Sequence, residues 1–366
     1  MALSRNIYWR KTLLNLLIVV LTMAPLGYVL AQAKRDRSVS EKSPTPAQKV
    51  PPSTENKSAV PAQSQDPKNK AVVKEPKEPK EEDAGPILKI ESKLVAVPVS
   101  VTNVKGEPIR GLRPEDFRLE EEGQLQQLVA LGDPGQTPVE LSLLFDVSGS
   151  VFERFKFQQE AAARFLKQVL KPKDAASVFI IGMDAKMAQG RTTSIDEALK
   201  GLMGIIPTKE GTAFFDTVAD AAKYIGKTAE PGTRHVIVVI SDGEDNHSEH
   251  FRLSDVTREL QRNDCLFYSI NPSGPSIWLN KVSLKGNNAM VSLAKQTGGA
   301  AFLPEKFEDL DAVFRQIATE LQAQYLLGYY STDEKADGGF RKIAINVPTR
   351  PELRVRARQG YYAPKV

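Results

Sequence analysis

Leu141-Ser-Leu-Leu-Phe-Asp-Val-Ser-Gly-Ser150 is the stretch that decides how the rest of the chain is read. The apolar run Leu141 to Phe145 has the length and abrupt ends of a strand buried on both faces. It breaks into Asp146, Ser148 and Ser150, three oxygen-bearing side chains at alternate positions, and Gly149 gives the backbone room to turn. Hydroxyls and a carboxylate without His or Cys suit a hard cation such as Mg²⁺ rather than zinc. The same residues also read as a strand running into a Ser/Gly loop that caps a helix. Alone, the stretch leaves both readings open.

Two later stretches weigh toward the cation. Gly211-Thr212 opens the helical segment Ala213 to Ala222, so Thr212 falls at a loop-to-helix junction. Val236 to Ile240 reads as a second buried strand, ending in Ser241-Asp242-Gly243-Glu244-Asp245. In an open α/β sheet, ligands sit in the crevice beyond the carboxyl ends of the strands, where Asp146 and Asp242 both fall. Two carboxylates about 4 Å apart repel by about 4 kcal/mol at an effective dielectric of about 20. A divalent cation between them removes that cost.

The set Asp146-x-Ser148-x-Ser150, Thr212 and Asp242 resembles the metal-ion-dependent adhesion site of von Willebrand factor type A domains. By that resemblance Ser148, Ser150 and Thr212 would contact the metal directly, and Asp146 and Asp242 would act largely through water. The resemblance implies Mg²⁺, or Mn²⁺ or Ca²⁺ in its place, and a protein partner whose Glu or Asp carboxylate completes the coordination shell. Thr297-Gly298-Gly299 matches a pattern common in bacterial members. Asp116-Phe117, Leu327-Gly-Tyr-Tyr330 and Gly360-Tyr-Tyr362 look like exported bacterial proteins of this class, known especially from acidobacteria. One departure stands out: Glu210 precedes Gly211 where many relatives carry a second Gly, which makes that loop less pliable.

The remaining organisation follows from patterning. Residues 1–33 read as a signal peptide: Arg5, Arg10 and Lys11 precede an apolar run, Leu13 to Leu30, and Ala31-Gln32-Ala33 is a small-x-small cleavage pattern. Left uncleaved, that run approaches the length of a membrane anchor, although Asn15, Pro25 and Gly27 disfavour a spanning helix. Either way the rest of the chain lies outside the cytoplasm, secreted, periplasmic or held in the cell envelope. Residues 34–85 contain no aromatic, Leu or Ile and are rich in Pro, Lys and Glu, the composition of a disordered linker.

Residues 86–137 form an N-terminal β segment: Val95, Val97, Val99 and Val101 alternate, and Pro98 points to an edge strand. Residues 138–321 alternate strands and helices. Strands are expected at Leu141 to Phe145, Ser177 to Ile181, Val236 to Ile240, Leu266 to Ile270 and Ala300 to Leu303. Helices are expected around Phe157 to Val169 and at Ser194 to Met203, Ala213 to Ile225, Leu253 to Asn263, Ala289 to Gln296 and Phe307 to Gln324. The fold class is therefore α/β, a Rossmann-like, doubly wound, mainly parallel sheet. Residues 322–366 return to short strands, and the two β flanks are expected to pair into a small sandwich with the central domain inserted between them.

Several function classes drop out. The net charge of +4 over 366 residues, with no basic stripe interleaved with aromatics, leaves no nucleic-acid footprint. Cys265, the single cysteine, lies in an apolar strand and reads as a buried thiol. Ser148 lacks the Gly-x-Ser-x-Gly elbow of a hydrolase. Gly298-Gly299 has no following Lys to make a phosphate loop. His247-x-x-His250 could chelate a transition metal, but only Glu244 or Asp245 is near enough in sequence to be a third ligand. The expectation is an exported, non-enzymatic adhesion-type binding protein, with Phe152, Glu153 and Phe214 on the rim of its contact surface. The rival reading is an envelope scaffold or oligomerisation block in which the metal only stabilises the fold.

Overall fold

The computed structural model describes residues 94–133, 135–149 and 154–365. The signal segment, the linker, and Ser150, Phe152 and Glu153 lie outside them. Alternation of small apolar residues gives strand β1 (Leu94–Thr102), with Val97, Val99 and Val101 buried. Glu122-Gly123, both at positive φ (49° and 78°), closes a hairpin of β2 (Arg118–Glu121) and β3 (Gln124–Gln126), and β4 (Leu128–Gly132) follows.

The central domain starts with β5 (Val139–Asp146), all of it buried, then α1 (Phe155–Val169), β6 (Ala175–Ile181) and β7 (Ala185–Thr192). Next come α2 (Ile195–Met203), capped by the Ser194 hydroxyl, α3 (Phe214–Thr228) and β8 (Arg234–Ile240). The domain closes with α4 (Leu253–Arg262), β9 (Cys265–Ile270), α5 (Lys281–Thr297), β10 (Ala301–Phe302) and α6 (Leu310–Leu321). The six strands form one sheet in the order β10-β9-β8-β5-β6-β7, parallel except for β7. Successive residues of β5 serve opposite faces. Leu141, Leu143 and Phe145 pack with α1, α2 and α6, and Leu144 packs with α3, α4 and α5. The fold class read from the sequence is thus found, a doubly wound sheet flanked by antiparallel sheets.

Three expectations need correction. The helix expected at Ala289–Gln296 begins eight positions earlier, at Lys281, because the Asn280 side chain accepts from Val282 N and caps it there. Strand β7 was not expected at all; its sequence, Ala-Lys-Met-Ala-Gln-Gly-Arg-Thr, lacks β-branched residues until its end, and its formation rests on antiparallel pairing with β6. Pro98 does not lie on an edge strand, since β1 is internal to its sheet.

That sheet has the order β13-β1-β11-β4 and draws on both ends of the chain, with β11 (Tyr325–Tyr330) and β13 (Arg354–Ala357) on either side of β1. β13 pairs only with Val99 to Thr102, so the missing N–H of Pro98 falls where β1 has a neighbour on one side. A second sheet, β14-β12-β2-β3, adds β12 (Phe340–Asn346) and β14 (Gly360–Tyr362). The two sheets share a core containing Val97, Val99, Leu119, Leu327, Tyr329 and Ile343.

A buried polar joint ties these sheets to the central domain. The Glu320 carboxylate, at the end of α6, accepts from Ser100 Oγ of β1 (2.9 Å), Tyr268 OH of β9 (2.7 Å) and the Arg356 guanidinium of β13. Gln324 Nε2 donates to both Ser100 Oγ and Tyr268 OH at 3.1 Å, so the joint is a closed network.

Candidate metal centre

The strand order reverses between β5 and β8, which makes their carboxyl ends the switch point of the sheet. Phe145 pairs with Ile240, so Asp146 and Ser241 emerge side by side and Asp242 follows one residue on. Asp146 is fully buried. Its Oδ1 accepts from Ser148 N at 2.8 Å and its Oδ2 from Ser241 Oγ at 2.6 Å. Ser241 Oγ in turn accepts from Gly243 N at 2.9 Å, and Asp242 Oδ1 accepts from Glu244 N at 3.0 Å. Each carboxylate is thus anchored by the loop that follows it.

The loop carrying Thr212 is held to both strand ends. Thr208 N and Lys209 N donate to Val147 O (3.0 and 3.2 Å), and Ala213 N donates to Gly182 O (2.7 Å). Thr212 N donates to Asn246 Oδ1 at 2.7 Å, while Thr212 O accepts from Asn246 N and His247 N at 3.0 Å. A Cβ on Gly211 would lie 1.8 Å from His247 Cδ2, so glycine is required there by the close approach of the imidazole. Gly243, at φ +75°, meets the same kind of limit: a Cβ would stand 2.7 Å from Gly286 O of α5.

Asp146, Ser148, Thr212 and Asp242 are all buried, on three segments that converge at one end of the sheet. The electrostatics there are unbalanced. Burial first, and the charge of Asp242 second, push the Asp146 carboxyl up to about 6, against the hydrogen bonds from Ser148 and Ser241 that lower it. None of these influences is a cation. Two carboxylates with serine and threonine hydroxyls, all oxygen donors, fit a hard divalent ion, and the raised Asp146 marks the charge such an ion would neutralise.

Other candidates separate from this site. Phe214, expected on a contact rim, is instead wholly buried in the core under α3. His250 Nδ1 lies 3.1 Å from Asp216 Oδ2 and the His247 ring packs on Gly211. Among the described residues no group of three or more His, Cys, Asp or Glu side chains is placed to hold a metal.

The sequence reading missed the residues that fix the site. Ser241 was not assigned to it, and its hydroxyl is the direct partner of Asp146. Asp245 Oδ1 accepts from Phe215 N at 3.2 Å and Ser248 Oγ accepts from Asp216 N at 3.1 Å, so the loop after β8 caps the first turn of α3. Asp216 returns the contact, accepting from the amides of Glu249, His250 and Phe251. Burial works to raise its pKa, and these donors outweigh it, leaving the carboxyl below the usual carboxylate range. A signal existed in the polar run Asp245 to Ser248 directly after a buried strand, but its partners lie in another loop and no spacing rule reaches them.

Residues 140–316 match the von Willebrand factor type A domain. No curated protein matches the chain. Solved structures with similarity include an aerotolerance-related membrane protein from Bacteroides fragilis with multiple mutations to serines (20% identity, 50% of this chain and 98% of that one, TM-score 0.39). Another is the conserved hypothetical protein BatB from Bacteroides thetaiotaomicron (19%, 50% and 98%, TM-score 0.40). A third is proximal thread matrix protein 1 of the mussel byssus with a zinc-occupied MIDAS motif (15%, 54% and 48%, TM-score 0.43). No helix among the described residues is long and apolar enough to cross a membrane.

Proposed function

We propose that this von Willebrand factor type A domain, residues 140–316, makes the chain an exported, non-enzymatic binding protein that engages an acidic side chain of a partner protein through a divalent cation. The observation that carries the reading is the buried pair Asp146 and Asp242 at the switch point, with the Asp146 carboxyl raised to about 6 and no basic side chain among its main influences. Asp146, Ser148, Thr212 and Asp242 would hold the ion, with Ser150 the fifth residue of the set. Mg²⁺ is the expected ion, with Mn²⁺ and Ca²⁺ as substitutes, since the donors are all oxygen.

When bound, the cation supplies a Lewis-acid position that a carboxylate can fill. This chain's own residues do the rest. Ser148 N and Ser241 Oγ keep both oxygens of Asp146 oriented, so the site is formed before the ion arrives. Asn246 and His247 fix the backbone of Thr212 on the neighbouring loop, from which its hydroxyl would reach the ion. Because Asp146 and Asp242 would act largely through water and the direct contacts would be neutral hydroxyls, few negative charges would touch the ion and it would be drawn to a further anion. The export segment, residues 1–33, would place this interaction outside the cytoplasm, at the cell envelope or beyond.

The test is retention on immobilised peptides carrying one central Glu, beside the same peptides carrying Gln. Retention on the Glu peptides with Mg²⁺, lost in EDTA and lost by Asp242→Ala with the fold intact, is the expected result. Equal retention on both peptide sets, or retention of Asp242→Ala in EDTA, contradicts the reading. A scaffold would behave differently: EDTA would lower its Tm and leave retention unchanged.

A further inference from the structure

The most exposed large apolar side chain among the described residues is Ile206, at 77%. It lies in the connection from α2 to α3 that carries Thr212, and its backbone is fixed on both sides. Gln159 of α1, itself buried, donates from Nε2 to Leu202 O at 2.8 Å and to Ile205 O at 3.1 Å, and Ile205 N donates to Leu202 O at 3.2 Å. The turn so locked sends its residues two ways. Leu202 and Ile205 enter the core, while Met203 (46% exposed) and Ile206, also three apart, stay on its outer side. Pro207 stiffens the exit, and Thr208 N is then bonded to Val147 O. Apolar residues exposed singly are ordinary. A pair held outward by hydrogen bonds before and after it is a preorganised contact.

The pair borders the candidate metal centre. Two Cα steps of about 3.8 Å separate Ile206 from Thr208, so Ile206 stands within roughly 10 Å of the chain between Asp146 and Ser148. The β6–β7 turn adds Met183, 44% exposed, from the neighbouring side. Gly182 before it accepts from Ala213 N, next to Thr212, and a Cβ on Gly182 would lie 3.6 Å from Val147 Cγ2. A partner carboxylate reaching an ion held by Asp146, Ser148, Thr212 and Asp242 would bring its neighbouring residues over this rim. Resting on the cation reading above, we propose that the partner is a protein segment whose metal-seeking Glu or Asp lies about three residues from a large apolar side chain, which packs on Met203 and Ile206. The carboxylate fixes where the segment binds. The apolar contact selects among acidic segments, which protein surfaces offer in excess.

The experiment is fluorescence polarisation of labelled peptides with the full chain in Mg²⁺. Each peptide carries one Glu in a Gly-Ser background, with Leu or Ser about three positions to either side. The Leu peptides are expected to bind about tenfold tighter than the Ser peptides, and Ile206→Ser to erase that advantage. Gln in place of Glu, or EDTA, is expected to abolish binding of both. Leu125→Ser, also on an exposed apolar position but in β3 of the flanking sheet, is expected to keep the advantage. Glu- and Mg²⁺-dependent binding that is indifferent to Leu, or to Ile206→Ser, overturns this proposal and leaves the cation reading standing. Gln peptides binding as well as Glu peptides, or no peptide binding at all, overturns both. A Leu advantage that persists in EDTA makes the rim a separate apolar site and overturns the proposal alone. So does a dimer in sedimentation velocity that Ile206→Ser abolishes, which assigns the pair to a second copy of the chain.

Discussion

Two buried acidic sites in this molecule use the same functional group and are completed in opposite ways. At the joint between α6 and the β sheets, Glu320 is 2% exposed and meets Ser100, Tyr268 and the Arg356 guanidinium, so its charge is matched within the chain. At the ends of β5 and β8, Asp146 is as deeply buried, but it meets hydroxyls, an amide and a second carboxylate. A buried charge that is paired internally is a structural joint. One left beside a like charge is the feature on which the proposed cation site rests. The contrast separates a charge matched inside the chain from one that is not.

The largest expected effect comes from breaking the closed site. Arg356→Ala leaves the Glu320 carboxylate buried without its cation and should cost about 3–5 kcal/mol of stability, read by urea unfolding, with no dependence on Mg²⁺. The open site should respond with the opposite sign. Asp146→Asn removes a charge that burial and Asp242 both disfavour, so the metal-free protein should gain up to about 3 kcal/mol at pH 7 while losing Mg²⁺ binding. If Asp146→Asn destabilises the metal-free protein as Arg356→Ala does, the two sites are not opposites and the comparison fails.

A pH series sharpens the same point without mutation. The folded pKa of Asp146, about 6, lies above its ordinary value of 3.8. The folded state therefore holds this proton more tightly than the unfolded chain. The stability contributed is fully present below pH 3.8 and is lost as pH rises through about 6. In EDTA, this group should make unfolding free energy rise as pH is lowered from 7 toward 4, and the rise should vanish in Asp146→Asn. Mg²⁺ affinity should run the other way, falling as pH drops through about 6, because the proton and the ion compete for one carboxylate.

The smallest effect expected is at Gly211. Gly211→Ala drives a methyl into the His247 ring and should cost about 1–2 kcal/mol and a few-fold in Mg²⁺ affinity, through displacement of the Thr212 loop. His247→Ala in the same chain should restore most of both, measured by thermal unfolding and titration. Lack of rescue would mean that the loop is held by Asn246 and not by the packing of the imidazole.

Much of the open site was legible because its residues sit where apolar runs stop. Leu141 to Phe145 and Val236 to Ile240 announce buried strands, and whatever polar residue follows such a strand in a doubly wound sheet falls at its carboxyl end. The closed site was not legible. Ser100, Tyr268, Glu320 and Arg356 come from four segments, joined by no spacing, and each alone reads as an ordinary strand or helix residue. Strand β7 escaped for a related reason, since an edge strand held by pairing with β6 need not show an apolar pattern of its own.

The central claim, that Asp146 and Asp242 form a site for a divalent cation, is tested most directly by calorimetric titration of Mg²⁺, Mn²⁺ and Ca²⁺ into the purified chain and into Asp242→Asn at pH 7.5. Saturable binding of one ion per chain, abolished in Asp242→Asn while its unfolding curve stays cooperative, is the predicted result. Absence of saturable binding for all three ions up to about 10 mM, which corresponds to less than about 3 kcal/mol of binding free energy, would contradict it, as would binding that survives the substitution unchanged.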